Sequence, residues 1–392
     1  MSSNYKKLKA EVEKGITGKN QGIPLSLKKI GKYLSIRQAV YTLLGGNSGT
    51  GKTAYADSVY VLEPYMWYLQ NKDTTHLSVE WVYRSMERPL LQKLAKWSCY
   101  KIWRDDGILI TPAKLMGWTE DKLTEHEKHL FDKCEEFFET MQDSKIITII
   151  EGQDNPRGIW KQLEEYALAR GKYEQKSEYE KIYHPNNPDL IVVPVIDHAG
   201  KCKMETVDGI KSRKGTTDKL SEYMSICRDL FKMSPVVISQ FNRSIKSEIF
   251  SKQSDPEPTM DSFKETGNLY EDCDVALSLF NPYKFKVMDH MGYDIPKMVD
   301  NKTGANYFRS LKMIKNQGED DIRWALAFNG AIGQFCDLPR IGDMTEDIYT
   351  RVKNLQHFLP TAIEQEERQI LSRPFTGFGR THIDEQVKQA TT

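Results

Sequence analysis

The chain has 392 residues, with 55 Lys and Arg set against 55 Asp and Glu, and 39% of it is hydrophobic. Zero net charge argues against a histone-like wrapper while leaving room for local basic loops on nucleic acid. No apolar run nears the roughly 20 residues that span a bilayer, the N-terminus lacks a signal-peptide core, and six cysteines without C-x-x-C spacing argue against a zinc or disulfide framework and fit a reducing cytoplasm.

In chain order, Asn4 to Lys14 reads as a short charged helix with Leu8 and Val12 as its apolar contacts, followed by a polar linker to Gly22. Ala39 to Leu44 reads as a buried strand. It runs into Gly45–Ala56, GGNSGTGKTAYA, which contains a full G-x-x-x-x-G-K-[ST] pattern from Gly46 to Thr53. Glycines let successive N–H groups point into one hollow, which suits phosphate oxygens. Lys52 can reach the β- and γ-phosphates and Thr53 can ligate Mg²⁺, while Ser48, Gly49, Thr50, Gly51 and Ala54 complete the loop and the start of the helix that follows. Strand, glycine loop and helix N-terminus together predict a site for a nucleoside triphosphate.

Strands and helices then alternate. Leu77–Tyr83 reads as a strand, Pro89–Lys101 as a helix, Glu125–Gln142 as a helix and Ile146–Ile150 as a strand. Pro156–Arg170 begins a helix with Pro after Asn155. Leu190–Ile196 is the next strand, with a local bulge expected at Pro194 because proline removes a ladder donor. Thr217–Lys232 reads as a helix capped by Thr217. Pro235–Ile238 and Val275–Phe280 read as strands, and Tyr307–Lys315, Trp324–Phe328 and Gly333–Phe335 as closing hairpins. The alternation implies an α/β fold with a mostly parallel sheet flanked by helices and an antiparallel C-terminal extension. The boundaries drawn are an N-terminal helix and linker over 1–22, an ATPase domain over 23–340 and a polar tail over 341–392.

A nucleotide hydrolase also needs a carboxylate near the metal, a group that orients water and a γ-phosphate sensor. Asp197, closing the apolar run from Leu190, stands where such a carboxylate belongs, with a turn aspartate as the rival reading. From spacing alone Glu87 reads as an ordinary surface glutamate before Pro89. Gln240 and Asn242 are evenly balanced between a sensor and satisfied turn amides.

Taken together these segments resemble the RecA-like ATPase domain of the DnaB family of replicative helicases, nearest to its stand-alone, phage-encoded versions. GKTAYA matches the family's GKTA-aromatic-A loop, and Tyr83–Glu87 resembles F-S-L-E-M, whose glutamate activates water. Val195–His198 resembles V-I-D-Y, and PVVISQFNR, Pro235–Arg243, resembles P-V-I-x-L-S-Q-L-N-R. Phe263–Val275 resembles L-R-E-S-G-x-I-E-Q-D-A-D-V, and Leu311–Gly318 resembles the strand carrying K-x-R-x-G. The series covers roughly Gly18 to Leu338. The resemblance implies catalytic roles for Glu87, Lys52 and Gln240, with Asp197 and Thr53 at Mg²⁺ and ATP as the nucleotide. It places single-stranded DNA near Arg243, Lys264, Glu265 and Gly267, and on the basic loop Lys201–Lys214 with Lys211, Arg213 and Lys214, though a charge run is also the usual look of a solvated loop. It further implies a hexameric ring of identical subunits, with a loader or primase as partner.

Two positions depart from the pattern. Lys264 replaces the arginine of L-R-E-S-G, which keeps the charge but loses the bidentate fork. Gln317 falls where the family places the arginine finger that enters the neighbouring subunit's site, leaving Lys315, Arg309 or Arg323 as candidates for that role. The N-terminal helical domain through which the bacterial family contacts primase has no counterpart in this sequence, which puts primase binding in question. The rival readings are a filament-forming recombination or repair ATPase, and an ATP-binding assembly protein with weak hydrolysis.

Overall fold

The computed structural model describes residues 4–177, 181–207, 210–241, 257–266, 268–316 and 322–361. Nine strands form its central sheet: β1 (Thr42–Gly46), β2 (Ser78–Ser85), β3 (Ile147–Glu151), β4 (Leu190–Asp197), β5 (Val236–Gln240), β6 (Val275–Phe280), β7 (Phe308–Lys315), β8 (Arg323–Asn329) and β9 (Gln334–Asp337). Their order across the sheet is β9-β8-β7-β6-β1-β5-β4-β2-β3. The six strands from β6 to β3 are parallel, and β7, β8 and β9 add on as antiparallel neighbours. The expected architecture is therefore the observed one. The central strands are largely apolar because both faces of a parallel sheet are covered by helices, and β1 and β6 have no exposed residue.

Two core layers sandwich the sheet. One packs Leu44, Tyr55, Trp81 and Trp97; the other packs Tyr41, Leu43, Ile159 and Met224. A third cluster closes over the antiparallel end and includes Phe308, Tyr349, Val352 and Phe358. Because residues beyond Arg340 supply part of that cluster, the compact unit runs to Leu359, and the boundary expected at Arg340 falls inside it. Residues 362–392 lie outside the described residues.

Several local expectations are corrected. Pro194 produces no bulge: β4 keeps register with β2 straight through it, Val82 opposite Pro194, and pairing with β5 begins one residue later at Val195. The helix expected at Thr217 starts at Arg213, because the Ser212 hydroxyl caps it by accepting from the Gly215 N–H at 3.0 Å. The N-terminal helix α1 (Asn4–Ile16) forms, but Leu8 and Val12 are exposed, together with Tyr5 and Ile16. Spaced at three and four residues, these four make one uncovered apolar stripe. The charged segment expected as one helix over Glu125–Gln142 is two, Glu125–Asp132 and Glu135–Asp143.

Candidate nucleotide site

The site stands at the carboxyl ends of β1, β2, β4 and β5, where open α/β sheets bind ligands. The loop after β1 turns into a helix at Gly51, whose φ of +103° would strain any residue carrying a side chain. Upstream, Gly45 is pressed by the rings of Phe241 and Phe263, which a Cβ would strike. The end of β1 that leads into the glycine loop is thus in contact with the segments after β5 and before β6.

Lys52 is buried and folds back on its own loop, donating to the Gly46 carbonyl at 2.7 Å and the Asn47 carbonyl at 2.9 Å. Burial lowers its pKa to about 8, against the opposite pull of Glu87 and Asp197, while Lys284 lowers it further. The Thr53 hydroxyl donates to Oδ1 of Asp197 at 2.9 Å. Asp197 is fully buried, and its other oxygen, Oδ2, accepts from the Tyr83 hydroxyl at 3.0 Å. β2 and β4 run in register with Ser85 opposite Asp197, and the Met86 N–H donates to the Asp197 carbonyl at 3.0 Å. That register carries Glu87 past the sheet edge to the mouth of the pocket, half exposed, with Oε2 3.7 Å from Nε2 of His198. Nδ1 of His198 accepts from the Gly200 N–H at 3.1 Å, so in the neutral ring the proton sits on Nε2, facing Glu87; burial lowers the pKa of this histidine. Gln240 ends β5 in register with Gly46. Lys52, Thr53, Asp197, Glu87 and Gln240 are therefore gathered at the carboxyl ends of neighbouring strands.

A hydroxyl and one carboxylate joined at 2.9 Å, below an open glycine loop, fit Mg²⁺ held mainly by phosphate oxygens and water. Among the described residues no group of three or more His, Cys, Asp or Glu is placed to hold a metal by protein ligands alone.

Sequence reasoning missed four groups. Lys93, Asp57 and Tyr83 form a buried layer beneath Asp197. Lys93 lies on α2 (Leu90–Asp106) and shares a helix face with Trp97 and Tyr100; a lysine at that spacing among buried aromatics was the available signal. Lys284, just past β6, donates to the Ser48 carbonyl at 2.9 Å and so braces the outer turn of the loop; nothing local announced it.

The finger candidates are placed differently. Arg309, only 5% exposed, donates from Nε to the Thr50 carbonyl of its own chain at 2.9 Å and from Nη1 to the Asn306 and Phe308 carbonyls, with its guanidinium 4.8 Å from the Phe328 ring centre. That geometry engages the Arg309 donors within its own chain. Lys315 donates to the Tyr270 and Glu271 carbonyls at 3.0 and 2.7 Å, and Arg323 lies 3.2 Å from Glu257. Gln317 falls outside the described residues, as do Asn242, Arg243 and Gly267. Lys264 and Glu265 lie in the 3-10 turn Met260–Thr266. On the expected basic loop, Lys211 and Lys214 are exposed, while Arg213 opens α3 (Arg213–Phe231) and donates to the Cys202 carbonyl at 2.6 Å.

No protein-family model matches the chain, and no curated protein matches it in sequence. Solved structures do. An ATPase domain aligns with a TM-score of 0.60 at 14% identity, over 86% of this chain and all of that one. A DnaB-like replicative helicase, solved for its interactions with primase, aligns with a TM-score of 0.55 at 15% identity, over 81% of this chain and 64% of the helicase. With that sheet order and that loop, the chain has the RecA-type fold of DnaB-like ATPase domains.

Proposed function

We propose that this protein is a Mg²⁺- and ATP-dependent DNA helicase of the stand-alone phage type, a ring-forming motor that moves on single-stranded DNA during replication. The observation that carries the reading is the contact of Thr53 with Asp197 beneath the glycine loop, with Glu87 at the pocket mouth. Lys52 would hold the β- and γ-phosphates, releasing its two loop carbonyls to do so. Glu87 would orient the attacking water, with the Nε2–H of His198 holding it in place. Bound Mg²⁺ would offset phosphate charge. Gln240, whose strand abuts the loop at Gly46, would sense the γ-phosphate and pass its state to the residues that follow it.

Assembly into a ring of identical subunits, with six as the expected number, is supported by the apolar stripe Tyr5, Leu8, Val12 and Ile16, which is exposed on its own chain. A neighbouring subunit is the occupant that stripe fits. The cytoplasm is the proposed compartment; among the described residues no helix is long and apolar enough to cross a membrane. A primase or loader is a partner by analogy with the DnaB-like helicase alone.

ATP hydrolysis measured with and without single-stranded DNA tests the motor. Stimulation by DNA, lost in Lys52→Ala and in Glu87→Gln, is the expected result. Hydrolysis that ignores DNA across a range of both concentrations would count against it and favour the ATP-binding assembly protein. That second reading draws on one observation: Arg309 and Lys315 have their donors engaged inside their own chain. Electron micrographs with ATP and DNA would separate closed rings from the open filaments of a recombinase.

A further inference from the structure

Lys93, on α2, is 2% exposed and has two carboxylates as neighbours. Its Nζ lies 3.0 and 3.3 Å from the oxygens of Asp57 and 3.6 Å from Oδ2 of Asp197. The Tyr83 ring covers it, with the centre 3.9 Å from Nζ. A buried lysine needs a counter-ion, and Asp57 alone would meet that need. The second carboxylate is the informative one, because Asp197 has divided its oxygens: Oδ1 accepts a hydrogen bond from the Thr53 hydroxyl, and Oδ2 is held from behind by Tyr83 and Lys93. A carboxylate held this way cannot turn. The Thr53 hydroxyl therefore keeps its O–H directed at Oδ1 and its lone pairs free for a cation, as a hydroxyl ligand requires.

We infer that Lys93 is a positioning residue for the Mg²⁺ of the bound nucleotide, and that Asp57 is the counter-ion that keeps Lys93 from neutralising Asp197. Two aspartates and one lysine sum to a single negative charge, and Asp57 leaves that charge with Asp197 on the side facing Thr53. The inference rests on the triphosphate reading above and assigns roles to two residues outside it.

The test is binding of a fluorescent ADP analogue to the full chain, followed by anisotropy as Mg²⁺ is raised and again in EDTA. Asp57→Asn leaves no buried group without a partner but makes Asp197 the only carboxylate beside Lys93. The Mg²⁺ needed for half-maximal binding is expected to rise about tenfold, with binding in EDTA unchanged within about twofold. The double variant Lys93→Met/Asp57→Asn restores the single negative charge and is expected to return to within about threefold of wild type. Thermal melting of each variant confirms that it folds. Wild-type Mg²⁺ dependence in Asp57→Asn, or a double variant no better than the single one, overturns the inference. Wild-type nucleotide binding that ignores Mg²⁺ overturns it too, whereas a wild-type protein that binds no nucleotide with or without Mg²⁺ would instead remove the triphosphate reading on which it stands.

Discussion

The floor of the candidate nucleotide site and the strand β7 at its flank hold basic side chains in opposite surroundings. On the floor, charge meets charge: Lys93 lies between Asp57 and Asp197, and Asp197 also receives Thr53. On β7, cations meet carbonyls: Arg309 is spent on Thr50, Asn306 and Phe308, and Lys315 on Tyr270 and Glu271. Charges paired in the interior are fixed in geometry because any rotation exposes an uncompensated ion. A cation on carbonyls keeps its charge un-neutralised and gives up its bonds at lower cost. The floor of the site is therefore fixed by paired charges, while the cations of β7 are fixed by carbonyls of their own chain.

Breaking the floor should produce the largest effect. Lys93→Met strands two buried carboxylates, and unfolding by urea should show a loss of about 3–5 kcal/mol, as when one partner of a buried pair is removed. A loss below about 1 kcal/mol would mean that water reaches this layer. Next comes Arg309→Met, which takes the donor from the Thr50 carbonyl while leaving a chain of similar length on the Phe328 ring. Stability should fall by about 1.5–3 kcal/mol, the range for a hydrogen bond to a charged group, and nucleotide affinity should fall with it. Affinity that stayed constant while stability fell would show that the loop holds its shape without β7. A smaller effect tests the other side of that comparison directly. Gln317→Arg should raise ATP hydrolysis per subunit about tenfold or more, and only at protein concentrations that support assembly, since a finger acts in trans. An equal gain in dilute monomer would place this position in its own site rather than a neighbour's.

The contrast also separates what the residues announced from what they hid. Asp197 is readable because it closes a run of apolar residues, and strand ends in parallel sheets gather at one edge. Thr53 and Lys52 are readable because their spacing is fixed by a local loop. Glu87 is unreadable from spacing: its place depends on Ser85 pairing with Asp197, a register between distant segments. Arg309 is harder still, since its partner Thr50 is 259 residues away and a charged residue in a strand ordinarily faces water. Ser212 and Thr217 offer two hydroxyls near one helix start, and composition alone does not rank them; the Gly215 N–H decides for Ser212. Lys93 was legible in principle through its helical spacing to Trp97 and Tyr100, yet its role appears only once Asp57 and Asp197 are seen on either side.

The finest test of the comparison lies at Lys52, which belongs to the floor but is bonded like a residue of β7, to two carbonyls. Burial lowers its pKa to about 8 in the nucleotide-free chain. Bound phosphate adds negative charge at its ammonium and so raises that pKa, which makes nucleotide binding take up a proton above about pH 8. The affinity is fully present below about pH 8 and falls as pH rises through that value, by at most about tenfold per pH unit. Nucleotide dissociation constants at about pH 7, 8 and 9 read this directly. Lys284 also depresses Lys52, so Lys284→Met should carry the falling limb to higher pH while also loosening the Ser48 turn it braces. The two effects separate in the data: lost bracing weakens binding equally at every pH, whereas lost repulsion moves the pH at which binding declines. Affinity that is flat from about pH 7 to 9 in wild type would mean that Gly46 and Asn47 hold the ammonium charged despite its burial, and that Lys52 resembles the rest of the floor after all.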